Sequence, residues 1–340
     1  MDGYIGYAAA RASQADALAA AIERLGDAVR AHQDGGAFRG PGPVFLGIGA
    51  SLAAACAPVW VLRSRGIHSW RLSAGDYPLP FPVSVHPVLA VSQSGRSTET
   101  LAALDSLPPE LRFAVVNTDP SPITAAVASY LSLGNIPDSY ASTIGFTATI
   151  TALAMIAEAW DGGIVDPGWA ALPQQVRDLD ARLGARAAEL AESFEGAPWA
   201  DFIGSGPSAG SAEAGALLFR EVARVPSSGL STRTYLHGSM ESASPAGVHV
   251  LFGAERELEV ARMLTAAGNR VILVTAAEVP EADGLRVITL PKLPPSQRAV
   301  LEAVAMQVLV EAVARARGVE IEEFVFFHDD TKVAPPAETP

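Results

Sequence analysis

Cysteine is almost absent. The single one, Cys56, leaves no partner for an internal disulfide and no set for a cysteine-built metal site. It follows a glycine turn on an apolar stretch, so packing is expected of it rather than thiol chemistry. Nearly half of the chain is hydrophobic (49%), yet no uninterrupted apolar run reaches the ~20 residues of a bilayer span. The first residues lack a basic stretch followed by an apolar core, so no secretion signal is expected and the cytoplasm is the expected compartment. Positive charge is scarce: 24 Lys and Arg stand against 37 Asp and Glu, a net charge of −13. That balance argues against a nucleic acid held by phosphate neutralisation. It leaves room for a small phosphorylated ligand, whose local donors act within a screening length. The nucleotide P-loop pattern Gly-x-x-x-x-Gly-Lys-Ser/Thr is missing too.

What is present is an alternation of short apolar runs and helical patterns. Ile5, Leu18, Ile22, Leu25 and Val29 recur at helical spacing in a leading helix, residues 1–34. Strands are expected at Val44–Ile48, Ser69–Ser73, Val88–Ser92, Phe113–Val116 and Tyr130–Leu133, followed by an apolar helix over Thr143–Trp160. An amphipathic linking helix covers residues 169–196, and the pattern then restarts. Asp201–Ser208 mirrors Val44–Ser51, Val248–Ala254 mirrors Leu89–Gly95, and Val271–Thr275 mirrors Phe113–Asn117, a period of about 155–160 residues. The fold expected is α/β: two doubly wound, flavodoxin-like parallel-sheet domains related by internal duplication, at residues 35–168 and 197–318, with a tail at 319–340.

Val91-Ser92-Gln93-Ser94-Gly95-Arg96-Ser97 is the stretch richest in chemistry. An apolar run leads in and Thr98–Leu104 leads out as a helix. A strand that ends in small hydroxyl residues and opens a helix offers unpaired N–H groups, the positive end of the helix dipole and neutral hydroxyl donors, which together cradle a phosphate. At the mirrored position the second half carries Phe252-Gly253-Ala254-Glu255, and Glu255 is expected to repel a phosphate. The second half has instead Glu221 on a helix over Ser211–Val222, and His237 sixteen residues later in a glycine- and serine-rich loop.

The serine loop, the repeat and the Glu221…His237 spacing together resemble the tandem SIS (sugar isomerase) family, over about residues 5–335. The likeness is to the isomerase half of glucosamine-6-phosphate synthase and to stand-alone ketose/aldose isomerase-deaminases and fructosamine-6-phosphate deglycases. The resemblance implies catalytic roles for Glu221, as the base moving a proton between C1 and C2, for His237, delivered from a neighbouring subunit to open the sugar ring, and for Lys332 in the tail. It implies phosphate and sugar contacts from Ser51, Ser92, Gln93, Ser94, Ser97, Tyr140, Ala141 and Ser142, no cofactor, no metal, and a homodimer sharing its sites. A carboxylate of raised pKa suits proton transfer between adjacent carbons, and histidine titrates in the range that ring opening needs.

The departures bear on which reaction is run. Position 2 is Asp, not Cys, so glutamine hydrolysis is not expected; Leu218 stands where the synthase has a lysine. Tyr140 replaces an aliphatic residue, Arg96 an acidic one, and Phe324–Asp330 lacks the usual tail pattern. Isomerase, deaminating isomerase, deglycase and non-catalytic phosphosugar sensor all remain open. His32, His68, His86 and His249 carry no motif and are read as structural, and His328-Asp329-Asp330 as an acidic surface tail rather than a metal cluster.

Overall fold

A computed structural model describes residues 3–82, 84–323, 325–326 and 330–334. Ten strands form two five-stranded sheets, all of their pairings parallel. The first sheet holds β1 (Val44–Gly47), β2 (Trp70–Ser73), β3 (Val88–Ser92), β4 (Arg112–Val116) and β5 (Ser129–Ser132) in the order β2-β1-β3-β4-β5. The second holds β6 (Ala200–Gly204), β7 (Ser227–Ser231), β8 (Val248–Phe252), β9 (Arg270–Thr275) and β10 (Leu285–Thr289) in the order β10-β9-β8-β6-β7. Counted within each half both sheets read 2-1-3-4-5, the flavodoxin order.

The central strands are buried along their whole length, as strands covered on both faces must be. In the first sheet Val44, Leu46 and Val88 pack with Phe81, Ala103 and Leu107, while Ala90, Ala114 and Val116 pack with Leu104 and Ile123. In the second, Ile203, Leu251, Leu273 and Val287 pack with Val260, Leu264 and Tyr235. Two helices are largely buried: Ile144–Ala159 in the first half, apolar nearly all round, and Pro295–Ala316 in the second, which buries Gln297, Glu302 and Gln307 along with its apolar residues.

The chain forms two compact units, one built on Asp16–Ala170 and the other on Gly6–Ala15 with residues 171–323. The leading helix, Tyr7–Asp34, contributes to both, and the described tail residues belong with the first. The expected linking helix is two, Leu172–Gly184 and Ala187–Glu192, because Ala185-Arg186 breaks the run. Two strands of the second sheet, β7 and β10, lie at its edges. The sequence of β7, Ser-Ser-Gly-Leu-Ser, carries no apolar run because an edge strand needs none. Its Gly229 is a packing requirement: a Cβ there would stand 2.5 Å from the Cα of Glu213 on the neighbouring helix.

Candidate functional site

In a sheet of order 2-1-3-4-5 the chain changes direction between strands 1 and 3, and ligands bind in the crevice beyond the carboxyl ends of those two strands. In the first unit β1 leads through Gly47-Ile48-Gly49 into the helix Ala50–Ala54, which carries Ser51, and β3 leads through Ser92–Ser97 into the helix Thr98–Asp105. Ser51 and the serine loop therefore open at the same crevice. Gly95 sits at φ +63°, and a Cβ on it would stand 2.1 Å from Ser121 Oγ, so only glycine fits where the loop turns. Ser92 and Ser97 share a hydrogen bond of 2.9 Å between their hydroxyls. Ser97 is the helix N-cap, but its side chain caps no helical N–H. The Gln93 carbonyl accepts from the N–H groups of Asn117 and Thr118 at 3.0 and 2.9 Å, tying the loop to the end of β4. Ser94 Oγ accepts from Arg96 N at 3.3 Å, and the residue keeps a partly open surface.

The Gln93 side chain points to a residue that sequence reasoning passed over. Its amide donates to Asp138 Oδ2 at 3.1 Å. Asp138 is 7% exposed and its carboxylate gathers the start of the long helix Ile144–Ala159. It accepts from the hydroxyls of Ser142 and Thr143 at 2.7 Å each, from Ser139 N and Gly145 N at 2.9 Å, from Thr143 N at 3.1 Å and from Ile144 N at 3.3 Å. Thr143, the N-cap residue, makes no side-chain cap bond itself, so Asp138 supplies the anion that the helix end favours. Ser142 is thus oriented by Asp138, Ala141 is buried, and Tyr140 is 43% exposed with its ring 4.3 Å from that of Tyr4. Gly145 is what lets Gln93 cross the helix end, since a Cβ there would stand 2.1 Å from Gln93 Nε2. An acidic residue a few positions before Ser-Thr and an apolar run was the available sequence signal.

The described tail residues run antiparallel to the serine loop. Lys332 pairs with Ser97 across a β-bridge, and its side chain is exposed. Arg96 O accepts from Val333 N at 2.9 Å, Arg96 Nε donates to Val333 O at 2.7 Å, and Thr98 donates through N to Thr331 O at 3.2 Å and through Oγ1 to Asp330 O at 2.9 Å. Arg96 is therefore a clasp for the tail. His328 and Asp329 lie outside the described residues. Among the described residues no group of three or more His, Cys, Asp or Glu is placed to hold a metal.

In the second unit Glu221 is the penultimate residue of the helix Ser208–Val222. It keeps an exposed surface, while burial of the carboxyl among surrounding chain pushes its pKa up to about 7. The same helix is anchored at its start by Glu302, 1% exposed, which accepts from Ser208 Oγ at 2.8 Å and Ser211 Oγ at 2.5 Å and pairs with Arg298 at 3.2 Å. Burial raises the Glu302 carboxyl above its usual range. His237 is the C-cap of the short helix Thr232–Leu236; its N–H bonds to the carbonyls of Arg233 and Thr234 and the residue is exposed. Glu255 is exposed and its side chain caps nothing. Of the other described histidines, His32 packs against Phe38 and Phe113, exposed His68 and partly buried His86 lie beside Trp70, and His249 is wholly buried with Nδ1 3.1 Å from Tyr235 Oη.

No family model matches the chain. Over 255 residues, 69% of the chain, it is 28% identical to the glutamine–fructose-6-phosphate aminotransferase (isomerizing) of Bradyrhizobium diazoefficiens, and the match spans 42% of that protein's length. Among solved structures it is similar to the C-terminal domain of glucosamine-fructose-6-phosphate aminotransferase from Francisella tularensis, with TM-score 0.79, 19% identity, and 94% of this chain and 98% of that one covered. It is also similar to tagatose-6-phosphate ketose/aldose isomerase from Escherichia coli, with TM-score 0.77, 17% identity, and 96% and 99% covered. A third is glucosamine-6-phosphate deaminase from Thermotoga maritima, with TM-score 0.70, 18% identity, and 90% and 95% covered. The chain therefore shares the fold of these phosphosugar proteins, with a distant sequence likeness to the first of them over 69% of its length.

Proposed function

We propose that the protein is a phosphosugar isomerase acting on a hexose 6-phosphate or amino-hexose 6-phosphate by moving a proton between C1 and C2. The observation that carries the reading is the serine loop: hydroxyls and a helix start, set at the switch point of a parallel sheet and shaped by a glycine that nothing else can replace. Ser51, Ser92, Gln93, Ser94 and Ser97 are assigned to the phosphate and Tyr140, Ala141 and Ser142 to the sugar.

Glu221 is assigned the proton shuttle. Aldose–ketose interconversion needs one base that takes a proton from one carbon and returns it to the next, and a carboxyl pushed up to about 7 holds that proton without binding it too weakly or too tightly. His237 is assigned to ring opening, and its exposed position suits a residue lent to a partner subunit of a homodimer. Lys332, placed beside Ser97 by the tail, is assigned to the sugar end. No cofactor is required, because the migrating proton is acidified by the adjacent carbonyl or iminium. The names of the similar proteins, isomerases, aminotransferase and deaminase of 6-phosphosugars, support this substrate class.

The test is a panel of fructose, tagatose, glucosamine, galactosamine and fructosamine 6-phosphates, assayed for both the isomer and released ammonia. Isomer formation is expected with at least one. Ammonia would add a deaminating or deglycating step. Binding without any product would overturn the enzyme reading in favour of a sensor.

A further inference from the structure

The second sheet has its own switch point, between β6 and β8, and no serine loop beside it. Five residues past the end of β8 stands Glu257, as Ser97 stands five past the end of β3. Glu257 is 2% exposed and is the second residue of the helix Arg256–Ala266. Its Oε1 accepts from Ser205 Oγ, on the turn after β6, and from Thr232 Oγ1, each at 2.5 Å. Its Oε2 lies against Gly253, where a Cβ would stand 2.2 Å away. Hydroxyls after the first strand of the unit, a helix start after the third and a glycine at the closest approach are the parts of an anion site. Here they surround a carboxylate of the chain.

We propose that Glu257 is a built-in anion, occupying in the second unit the crevice position that the serine loop keeps for a phosphate in the first, and that it is a positioning residue for His237. The first part follows from the contacts. A buried carboxylate is tolerated only where hydrogen bonds replace its water, and Ser205 and Thr232 do so. The second part rests on the phosphosugar reading above. Thr232 is the first residue of the helix whose C-cap is His237, and Glu257 is the buried group that holds that helix by its start. The unit has turned a ligand site into a brace, which leaves one phosphate site per chain.

Inorganic phosphate titrated into the full chain tests the first part. Glu257→Ser, which puts there the residue type found five positions past β3 in the first unit, is expected to take up one more equivalent of phosphate than the wild type. Its thermal midpoint is expected to gain about 2 °C over the wild type for each tenfold rise in phosphate above the dissociation constant. Glu257→Gln keeps the shape and the acceptor oxygen, and is expected to fold and to take up no extra phosphate. An unchanged phosphate count in Glu257→Ser, or an extra equivalent in Glu257→Gln, overturns the proposal. If Glu257→Ser does not fold in plain buffer, folding restored by phosphate or acetate supports the proposal, and failure in both overturns it.

Turnover tests the second part: Glu257→Ser is expected to lose at least tenfold in kcat with KM within twofold of wild type, and acetate to restore kcat in part. Wild-type kcat in Glu257→Ser overturns the positioning role. Absence of turnover in the wild type would sink the isomerase reading and with it the positioning role, and would leave standing the first part, since the phosphate count is read without turnover.

Discussion

Replacing Asp138 by Ala removes one carboxylate and strands several donors at once. Thr143 N, Ile144 N and Gly145 N lie at a buried helix end, where water cannot take over, and Thr143 Oγ1 is equally enclosed. Loss of a capping side chain costs about 1 kcal/mol, and buried hydrogen bonds to a charged acceptor are worth about 1.5–3 kcal/mol. The interaction of the carboxylate with the helix dipole adds up to ~2 kcal/mol. These overlap, so Asp138→Ala is expected to cost about 3–5 kcal/mol in urea unfolding, with the slope unchanged. Asp138→Asn keeps one acceptor but turns an amide N–H toward donors, and is expected to cost about 1–3 kcal/mol. Both also release the side chains of Gln93 and Ser142, so phosphate binding is expected to weaken in step with stability. A loss below about 1 kcal/mol for Asp138→Ala would refute the view that this carboxylate organises the helix start.

Three further outcomes follow. Gly95→Ala places a methyl group 2.1 Å from Ser121 Oγ at φ +63°; a loss of about 1–3 kcal/mol in chemical unfolding is expected, together with abolished phosphate binding by calorimetry. Burial pushes His249 down to about 4 and Asp201 up to about 6, so their contributions to the pH dependence of stability oppose each other. The histidine makes stability rise with pH between about 4 and 6.5, because the unfolded chain binds the proton better there, and the aspartate makes it fall between about 4 and 6. Asp201→Asn is therefore expected to remove that fall, so that between pH 4 and 6 its stability changes by about 3 kcal/mol more in the upward direction than the wild type's, in unfolding followed from pH 4 to 7. Removing residues 330–340 frees Arg96 and Thr98 from their tail partners, and a higher KM for the phosphosugar is expected, with the thermal midpoint little changed.

The buried strands were legible because they are buried: Val88–Ser92 and Val248–Phe252 are mostly apolar, broken only by Ser92 and the buried His249. The edge strands β7 and β10 were not: β7 is mostly serine and β10, Leu-Arg-Val-Ile-Thr, is broken by Arg286, so neither stands out as an apolar run. The serine loop could be read because its chemistry is local, a strand end and a helix start within a few residues. Asp138 and Glu257 could not. Each is an ordinary acidic residue in the sequence, and its importance comes from donors that the fold brings to it, Gln93 from 45 residues away in one case and Ser205 from 52 in the other. The sequence drew attention to Glu255 as the negative charge near the second crevice; the fold exposes Glu255 and buries Glu257 two positions on.

The central claim is that Glu221 moves a proton between adjacent carbons of a phosphosugar, and deuterium exchange in heavy water reads that step directly. With a 6-phosphosugar turned over by the wild type, NMR is expected to show solvent deuterium entering at C1 or C2, with a rate that rises through pH of about 7 as the carboxyl gives up its proton. Glu221→Gln is expected to lose about 10²–10⁴-fold of that rate while still binding the sugar phosphate. Exchange at the wild-type rate in Glu221→Gln would contradict the account.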